Sequence, residues 1–261
     1  MCTVIVLRRS GHPWPLILAG NRDEMRDRPW TGPGRHWPDR PEVVAGRDDL
    51  AGGSWLGLND HGVVAVILNR PGTLGPQAGK RSRGELVLEA LDHADAVAAA
   101  EALADLNPDA YRPFNMVLAD NRDTLWLRHA GPRPVEARAL DDGLWMISAA
   151  DANDETDPRI RANLPRVRAA PVPDPPDPES WDAWTAMQGL GADPDAPAPN
   201  AGMCFELDSG FATVNAAQIA LPAPAVDGPA PILRFAPGPP DRTPFAAVDL
   251  DLGGTVGRPG C

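Results

Sequence analysis

Residues 1–24 read MCTVIVLRRSGHPWPLILAGNRDE. Thr3 to Leu7 is a β-rich run, and Pro15 to Gly20 is a second. The Gly11-His12-Pro13 stretch between them is a turn signal, so the segment predicts an N-terminal hairpin. Directly after its second strand come four polar or charged residues, Asn21-Arg22-Asp23-Glu24, and then Arg26, Asp27 and Arg28. Composition alone favours a solvated loop after an edge strand. The functional alternative is a polar cluster at the end of a buried strand, beside Cys2 on the paired strand. There a carboxylate would hold an α-amine, and Arg22 would stabilise a thiolate or an acidic group of a substrate.

Downstream, hairpins and helical blocks follow one another. Trp55–Leu58 and Val63–Leu68 flank the Asx/Gly turn Asn59-Asp60-His61-Gly62. The second of these runs is apolar on both faces, as in a central strand packed between layers. Ser82 and Glu85 read as a capping box ahead of Leu86-Val87-Leu88. A helix is predicted there, with an Ala-rich second one from about Ala94 to Leu106, ended by Asn107-Pro108. Asn115–Ala119 and Thr124–Arg128 form a further hairpin, and Leu144–Ala149 a strand. Pro158–Arg168 and Trp181–Leu190 read as helices; Phe211–Ala220, Ile232–Phe235 and Ala246–Leu250 read as strands. The 31 prolines lie mostly in the second half. They predict irregular connections near residues 169–180 and 191–202, and residues 253–261 a loose tail. Strands in hairpins with helices in two blocks predict an α+β protein of two stacked antiparallel sheets between helical layers, one domain over residues 1–261.

The chain of 261 residues is long enough for a full hydrophobic core. Its formal net charge of -12 gives an overall field that repels phosphates and anionic lipid, so nucleic acid is not an expected partner. No apolar run approaches the roughly 20 residues that span a bilayer, and no basic segment precedes an apolar one at the N-terminus. A cytoplasmic protein without stable membrane insertion is expected. Cys2, Cys204 and Cys261 are an odd set without regular spacing, which argues against a disulfide framework. No Cys-x-x-Cys or His-x-x-x-His pair suggests a structural zinc site, and no metal is expected. Gly75-x-x-x-Gly79-Lys80-Arg81 is one residue short of a phosphate loop and lacks the following Ser or Thr. The sequence does not set an oligomeric state.

Cys2 has one specific chemical possibility. Removal of Met1 would give it a free α-amine beside its own thiol. With a reference pKa of roughly 7.7–8.0 such an amine is partly unprotonated near neutrality, and it could serve as the thiol's general base without a histidine. The bland account is that cysteine is a small hydrophobe that packs well in strands.

Met1-Cys2-Thr3, Leu18–Glu24 and Arg28-Pro29-Trp30 together resemble the start of the Asn-Arg-Asp-Glu family, which includes homologues of the transport and Golgi organisation protein. The resemblance continues through Ala51–Gly57, Val66–Arg70, Arg81–Leu86 and Phe114–Asp120. More distantly, this family is similar to N-terminal-nucleophile hydrolases, which implies a four-layer αββα sandwich with a nucleophilic N-terminal cysteine. By that likeness Asn69 would help hold a tetrahedral oxyanion; the alternative for Asn69 is a turn residue before Pro71-Gly72. Which of Asn21 and Arg22 takes the place of the hydrolases' arginine is open by one residue. Two departures stand out. The strand ending at Ser148 continues into Ala149-Ala150, where the hydrolases and many relatives carry an Asn. Ala212-Thr213-Val214-Asn215 occupies the stretch of a late Arg, with Asn215 as its candidate substitute.

The catalytic candidates are therefore Cys2, Asn21, Arg22, Asp23, Glu24 and Asn69. Trp30 and Trp37 are candidates for an apolar pocket, Trp55, Trp126 and Trp145 for core, and Asn115 needs a partner wherever it is buried. The resemblance implies an amidohydrolase or acyltransferase that needs no cofactor and acts on a small-molecule amide or acyl bond. The alternative it implies is a non-catalytic carrier for haem or an acyl-lipid ligand, and the chain has no Cys-x-x-Cys-His haem attachment motif.

Overall fold

The computed structural model describes residues 2–193, 198–225 and 228–250. Its first strands form the expected hairpin: β1 (Thr3–Arg8) runs antiparallel to β2 (Leu16–Met25), with Thr3 opposite Asn21 and Val6 opposite Leu18. β2 does not stop at Gly20. It carries the whole Asn-Arg-Asp-Glu tetrad as extended strand, so the tetrad is no surface loop.

The next seven strands make one antiparallel meander: β3 (Trp30–Gly34), β4 (Val43–Asp48), β5 (Leu56–Asn59), β6 (Val64–Asn69), β7 (Phe114–Ala119), β8 (Thr124–His129) and β9 (Glu136–Ala139). Helices α1 (Gly84–Leu91) and α2 (Ala96–Ala104) interrupt it between β6 and β7. The chain then returns to the first sheet with β10 (Gly143–Ile147). Helices α3 (Pro158–Ala169) and α4 (Asp182–Gln188) follow, then β11 (Phe211–Leu221), β12 (Ile232–Ala236) and β13 (Ala246–Ala247). The first sheet has the order β10-β1-β2-β11-β12-β13, which places the N-terminal hairpin at its centre.

Strand alternation assigns the layers. Val4, Val6, Leu16 and Leu18 point into the space between the sheets, where they meet Leu58, Val66 and Leu68 of the second sheet. Their neighbours Ile5, Leu7, Ile17 and Ala19 point the other way, onto Ile160, Leu164 and Trp184 of the α3–α4 layer. On the far side, Ala65 and Leu118 pack against Leu86 and Val87 of α1 and Ala99 of α2. Both sheets are thus buried on two faces, and the fold is the four-layer αββα sandwich.

Several local expectations are corrected. The capping box at α1 does not form: Arg83 is the cap residue with no side-chain cap, and the Ser82 hydroxyl accepts only from Gly84 N–H at 3.3 Å. Glu85 is drawn away by the Tyr111 hydroxyl at 2.6 Å and by Arg81 at 2.6 Å. α2 is shorter than its apolar pattern and starts at a genuine cap, Asp95 accepting from Ala98 N–H at 2.7 Å. α3 extends one residue into the first proline-rich connection, which also contains a short 3-10 turn at Pro178–Trp181. Residues 194–197 of the second connection and the tail 253–261 lie outside the described residues. Of the last predicted strand, Ala246–Ala247 is extended and pairs against Arg234 and Phe235, and Val248 N–H adds one bond to the Leu233 carbonyl at 2.8 Å. Among the described residues no helix is long and apolar enough to cross a membrane.

Candidate active site

The alternation that sorts the core also sorts the tetrad. Asn21 and Asp23 share the helix-facing side of β2. Asn21 donates to the carbonyls of Gln188 and Met203, both at 2.9 Å. Asp23 meets the Arg159 guanidinium of α3 at 2.6 Å and accepts from the Thr213 hydroxyl at 2.8 Å. Arg22 and Glu24 share the opposite side and face a cleft at the end of the two sheets. Of the two candidates for the arginine position, Arg22 is the one in the cleft; Asn21 ties the sheet to its helical layer.

A β-bulge in β11 makes this division work. Thr213 is opposite Asp23 and Asn215 is opposite Arg22, with the register shifting between them at Val214. The extra residue flips the facing of the strand. Thr213 can therefore reach Asp23 on the helix side while Asn215 sits across from Arg22 on the inner side. The Asn215 side-chain nitrogen is buried and has no hydrogen-bond partner among the described residues, and neither has Nη1 of Arg22. Native interiors rarely leave such donors empty.

Cys2 is half-buried beside these two residues and lines the same cleft. Its Sγ accepts from the Asp23 backbone N–H at 3.4 Å and its thiol donates to the Asp23 carbonyl at 3.7 Å. Burial pushes the thiol above its ordinary pKa, with the Asp23 carboxylate adding to the rise; the Asp23 backbone bond and the Arg22 charge oppose it. Arg22 lies over the Trp55 ring at 4.1 Å and pairs with Asp48 at 3.1 Å. Burial lowers its pKa, while Cys2, Glu24 and Asp48 pull it back up. Asp48 is a hub that also takes Arg28 at 2.6 Å and the N–H groups of Leu50 and Ala51 at 3.2 and 2.9 Å.

The cleft opens into a cavity of about 430 Å³. Asn69, the last residue of β6, lines it from the second sheet, and its side chain makes no hydrogen bond among the described residues. Trp55 also lines it, although its apolar setting reads as core. Trp30 and Trp37 do not. Trp30 packs edge-on against Trp55 and Phe235 in the inter-sheet core. Trp37 donates to the Gly52 carbonyl at 3.0 Å and packs on the α1–α2 side of the second sheet.

Asn115 is structural. It donates to the carbonyls of Ser148 and Ala150 at 3.0 and 2.7 Å, and it accepts from Arg70 at 2.7 Å and Trp126 at 3.2 Å. It thereby clamps the backbone after β10, the segment that holds Ala149 in place of an Asn. The sequence singles out Arg83 only as part of the Arg81–Leu86 stretch, and it does not single out Asp48, Arg112 or Arg159. Arg159 alone had a local signal, the Asp157-Pro158 helix start, where Asp157 caps Arg159 N–H at 2.8 Å.

One wall of the cavity depends on a close approach between Gly53 and Gly84. A Cβ on Gly53 would lie 2.4 Å from the Gly84 carbonyl carbon and 2.8 Å from Glu85 N. The start of α1 would have to move, taking Arg83 with it. Gly53→Ala is expected to lose about 1–3 kcal/mol in urea unfolding, the usual cost of overpacking.

With this geometry, the chain has the fold of solved hydrolase structures at low sequence identity. It matches an N-acylethanolamine-hydrolyzing acid amidase orthologue of Caenorhabditis elegans with a TM-score of 0.57 and 13% identity, covering 87% of this chain and 95% of that one. A variant of the conjugated bile acid hydrolase from Clostridium perfringens matches with a TM-score of 0.55 and 13% identity, over 95% of this chain and 92% of that one. In sequence, the human transport and Golgi organization protein 2 homolog is 33% identical over 117 residues, and the Bos taurus one 33% over 123 residues. Each alignment covers 42% of this chain and 41% of the relative, so the matched stretch spans about two fifths of those proteins. The family model described as Transport and Golgi organisation 2 matches residues 1–168, and the chain belongs to that family.

Proposed function

We propose that the chain is an N-terminal-nucleophile hydrolase or acyltransferase acting on a small-molecule amide or acyl bond, with Cys2 as nucleophile after removal of Met1. The observation that carries this reading is the row of Cys2, Arg22 and Asn215 across the first sheet, with two buried donors lacking partners beside the thiol. A thiol held protonated by its surroundings needs a base at the moment of attack. The freed α-amine of Cys2 is the nearest chemistry able to act as one. The thiol attacks the carbonyl carbon, and its proton passes through the amine to the leaving nitrogen as the C–N bond breaks. Water then cleaves the thioester and releases the acid. Arg22 Nη1, Asn215 and Asn69 supply donors for the tetrahedral oxygen. Asp23 is a positioning residue: its backbone holds Sγ while its carboxylate is engaged by Arg159.

A second reading, a carrier for an acyl ligand or haem, is favoured by Ala149, which puts an apolar residue where the hydrolases carry an Asn. Cys2 is the one soft iron ligand among the described lining residues.

Two measurements separate the readings. Protein purified from its own cells is expected to be one methionine residue lighter than the translated chain, and p-nitrophenyl hexanoate is expected to leave a hexanoyl adduct on Cys2 by peptide mass mapping. Retention of Met1, or acylation elsewhere only, removes the nucleophile mechanism. A Soret shift on adding haem that disappears in Cys2→Ala would then support the carrier.

A further inference from the structure

We propose that the cavity takes a ligand bearing an acidic group, a carboxylate or phosphate, seated on Lys80, Arg83 and Arg112; as a statement about substrate it rests on the nucleophile reading above. The protein as a whole carries a formal net charge of -12, yet the cavity inverts that balance. Arg22, Arg28, Lys80, Arg81, Arg83 and Arg112 line it against Asp23, Glu24 and Asp48. Most of these charges are already matched. Asp48 holds Arg22 and Arg28, Glu24 lies 3.8 Å from Arg28, Asp23 is bound by Arg159, and Arg81 reaches Glu85.

Lys80, Arg83 and Arg112 have no carboxylate partner among the described residues. They are instead fixed by neutral acceptors. Arg83 donates to the Thr73 hydroxyl and carbonyl, both at 2.8 Å, and to the Pro113 carbonyl at 3.0 Å. Arg112 donates to the carbonyls of Leu74 at 2.6 Å and of Gly75 and Gly72 at 2.8 Å. Lys80 donates to the Asp109 carbonyl. A guanidinium has five N–H donors, and the Nε groups of both arginines make no hydrogen bond among the described residues. Burial above all, and then the neighbouring Arg112 charge, bring the Arg83 pKa down to about 10, against an opposing pull from Cys2 and Glu24. The buried, partnerless Nη1 of Arg22 lines the same cavity beside Cys2. Preorganised cations with spare donors suit an anion that arrives with the ligand. Leu50, exposed at the mouth, and Trp55 offer apolar surface to the rest of it.

The test uses the full chain with Cys2→Ala, which binds without turnover, and isothermal titration with N-hexanoylglycine, neutral N-hexanoylglycinamide and hexyl phosphate. The glycine acid is expected to bind at least about tenfold tighter than its amide, with the gap closing as salt is raised. Lys80→Gln and Arg112→Gln together are expected to erase the preference. Their side chains bond only backbone carbonyls, so they carry the test if Arg83→Gln fails to fold by thermal melt. Either anion binding through these residues supports the site, and the tighter of the two names its source. Equal affinity for acid and amide, a preference untouched by the double substitution, or binding of none of the three overturns it. An anion preference without an adduct on Cys2 sinks only the nucleophile reading; acylation of Cys2 without an anion preference sinks only this one.

Discussion

Cys2→Ala is expected to lower kcat for any amide or ester substrate by at least about a thousandfold while leaving the fold in place. The thiol hydrogen-bonds one backbone segment, Asp23, and is half-buried at the margin of the inter-sheet core, so its loss opens little cavity. Stability should stay within about 1 kcal/mol of the parent in urea unfolding. That separation of activity from stability distinguishes a nucleophile from a packing cysteine. If turnover persists in Cys2→Ala, the nucleophile must lie elsewhere in the cavity and the proposed mechanism is wrong. The pH profile gives a second readout. Burial and the Asp23 carboxylate hold the thiol protonated above its ordinary range, so alkylation of Cys2 by iodoacetamide should keep rising with pH past the point where a free cysteine levels off. Arg22→Met removes a charge that favours the thiolate and should push that rise to still higher pH.

The layers were legible in the sequence because the central strands carry unbroken apolar runs. Leu16-Ile17-Leu18 and Val63–Leu68 are apolar on both faces, and the structure buries both faces of each. The strands not predicted from the sequence are β3, β4 and β9; β4 offers only the short apolar run Val43-Val44-Ala45 before Gly46. β3 contains Gly32, Pro33 and Gly34 and sits at the edge of its sheet, and β9 has mostly exposed residues at the other edge. The site was legible as a cluster but not as a geometry. The tetrad stands out through the family resemblance, since composition alone favours a solvated loop. Which members enter the cleft depended on its being strand, since alternation then sends Asn21 and Asp23 one way and Arg22 and Glu24 the other. The bulge at Val214 inverts the parity of β11, and no residue type announces it. Trp30, Trp37 and Trp55 cannot be told apart by composition; only the packing of Trp55 under Arg22 brings it to the cavity. Asp48, Arg83, Arg112 and Arg159 act on the site through contacts that the fold alone creates.

The last of these, Arg159, governs the stability of the whole arrangement. Arg159→Ala is expected to cost about 3–5 kcal/mol in equilibrium urea unfolding, the range for removing one member of a buried ion pair. The side chains of Arg159 and Asp23 are 3% and 0% exposed, so water cannot replace the lost partner. The guanidinium also donates to the Thr3 hydroxyl at 2.7 Å and to the Asn200 carbonyl at 2.9 Å, and it stacks on Phe205 at 4.8 Å. One side chain therefore joins β1, β2, α3 and the segment leading into β11. Replacing the pair together, with Asp23→Leu and Arg159→Met, should cost less than Arg159→Ala alone, because no charge is left behind in the interior. A double substitution as damaging as the single one would mean that the pair's hydrogen bonds to Thr3, Thr213 and Asn200 dominate over its charge. Because Asp23 also holds Cys2 through its backbone, Arg159→Ala should raise the rate of Cys2 alkylation in the folded protein as the end of β2 loosens. An unchanged alkylation rate would show that the Cys2 setting is fixed by strand pairing alone.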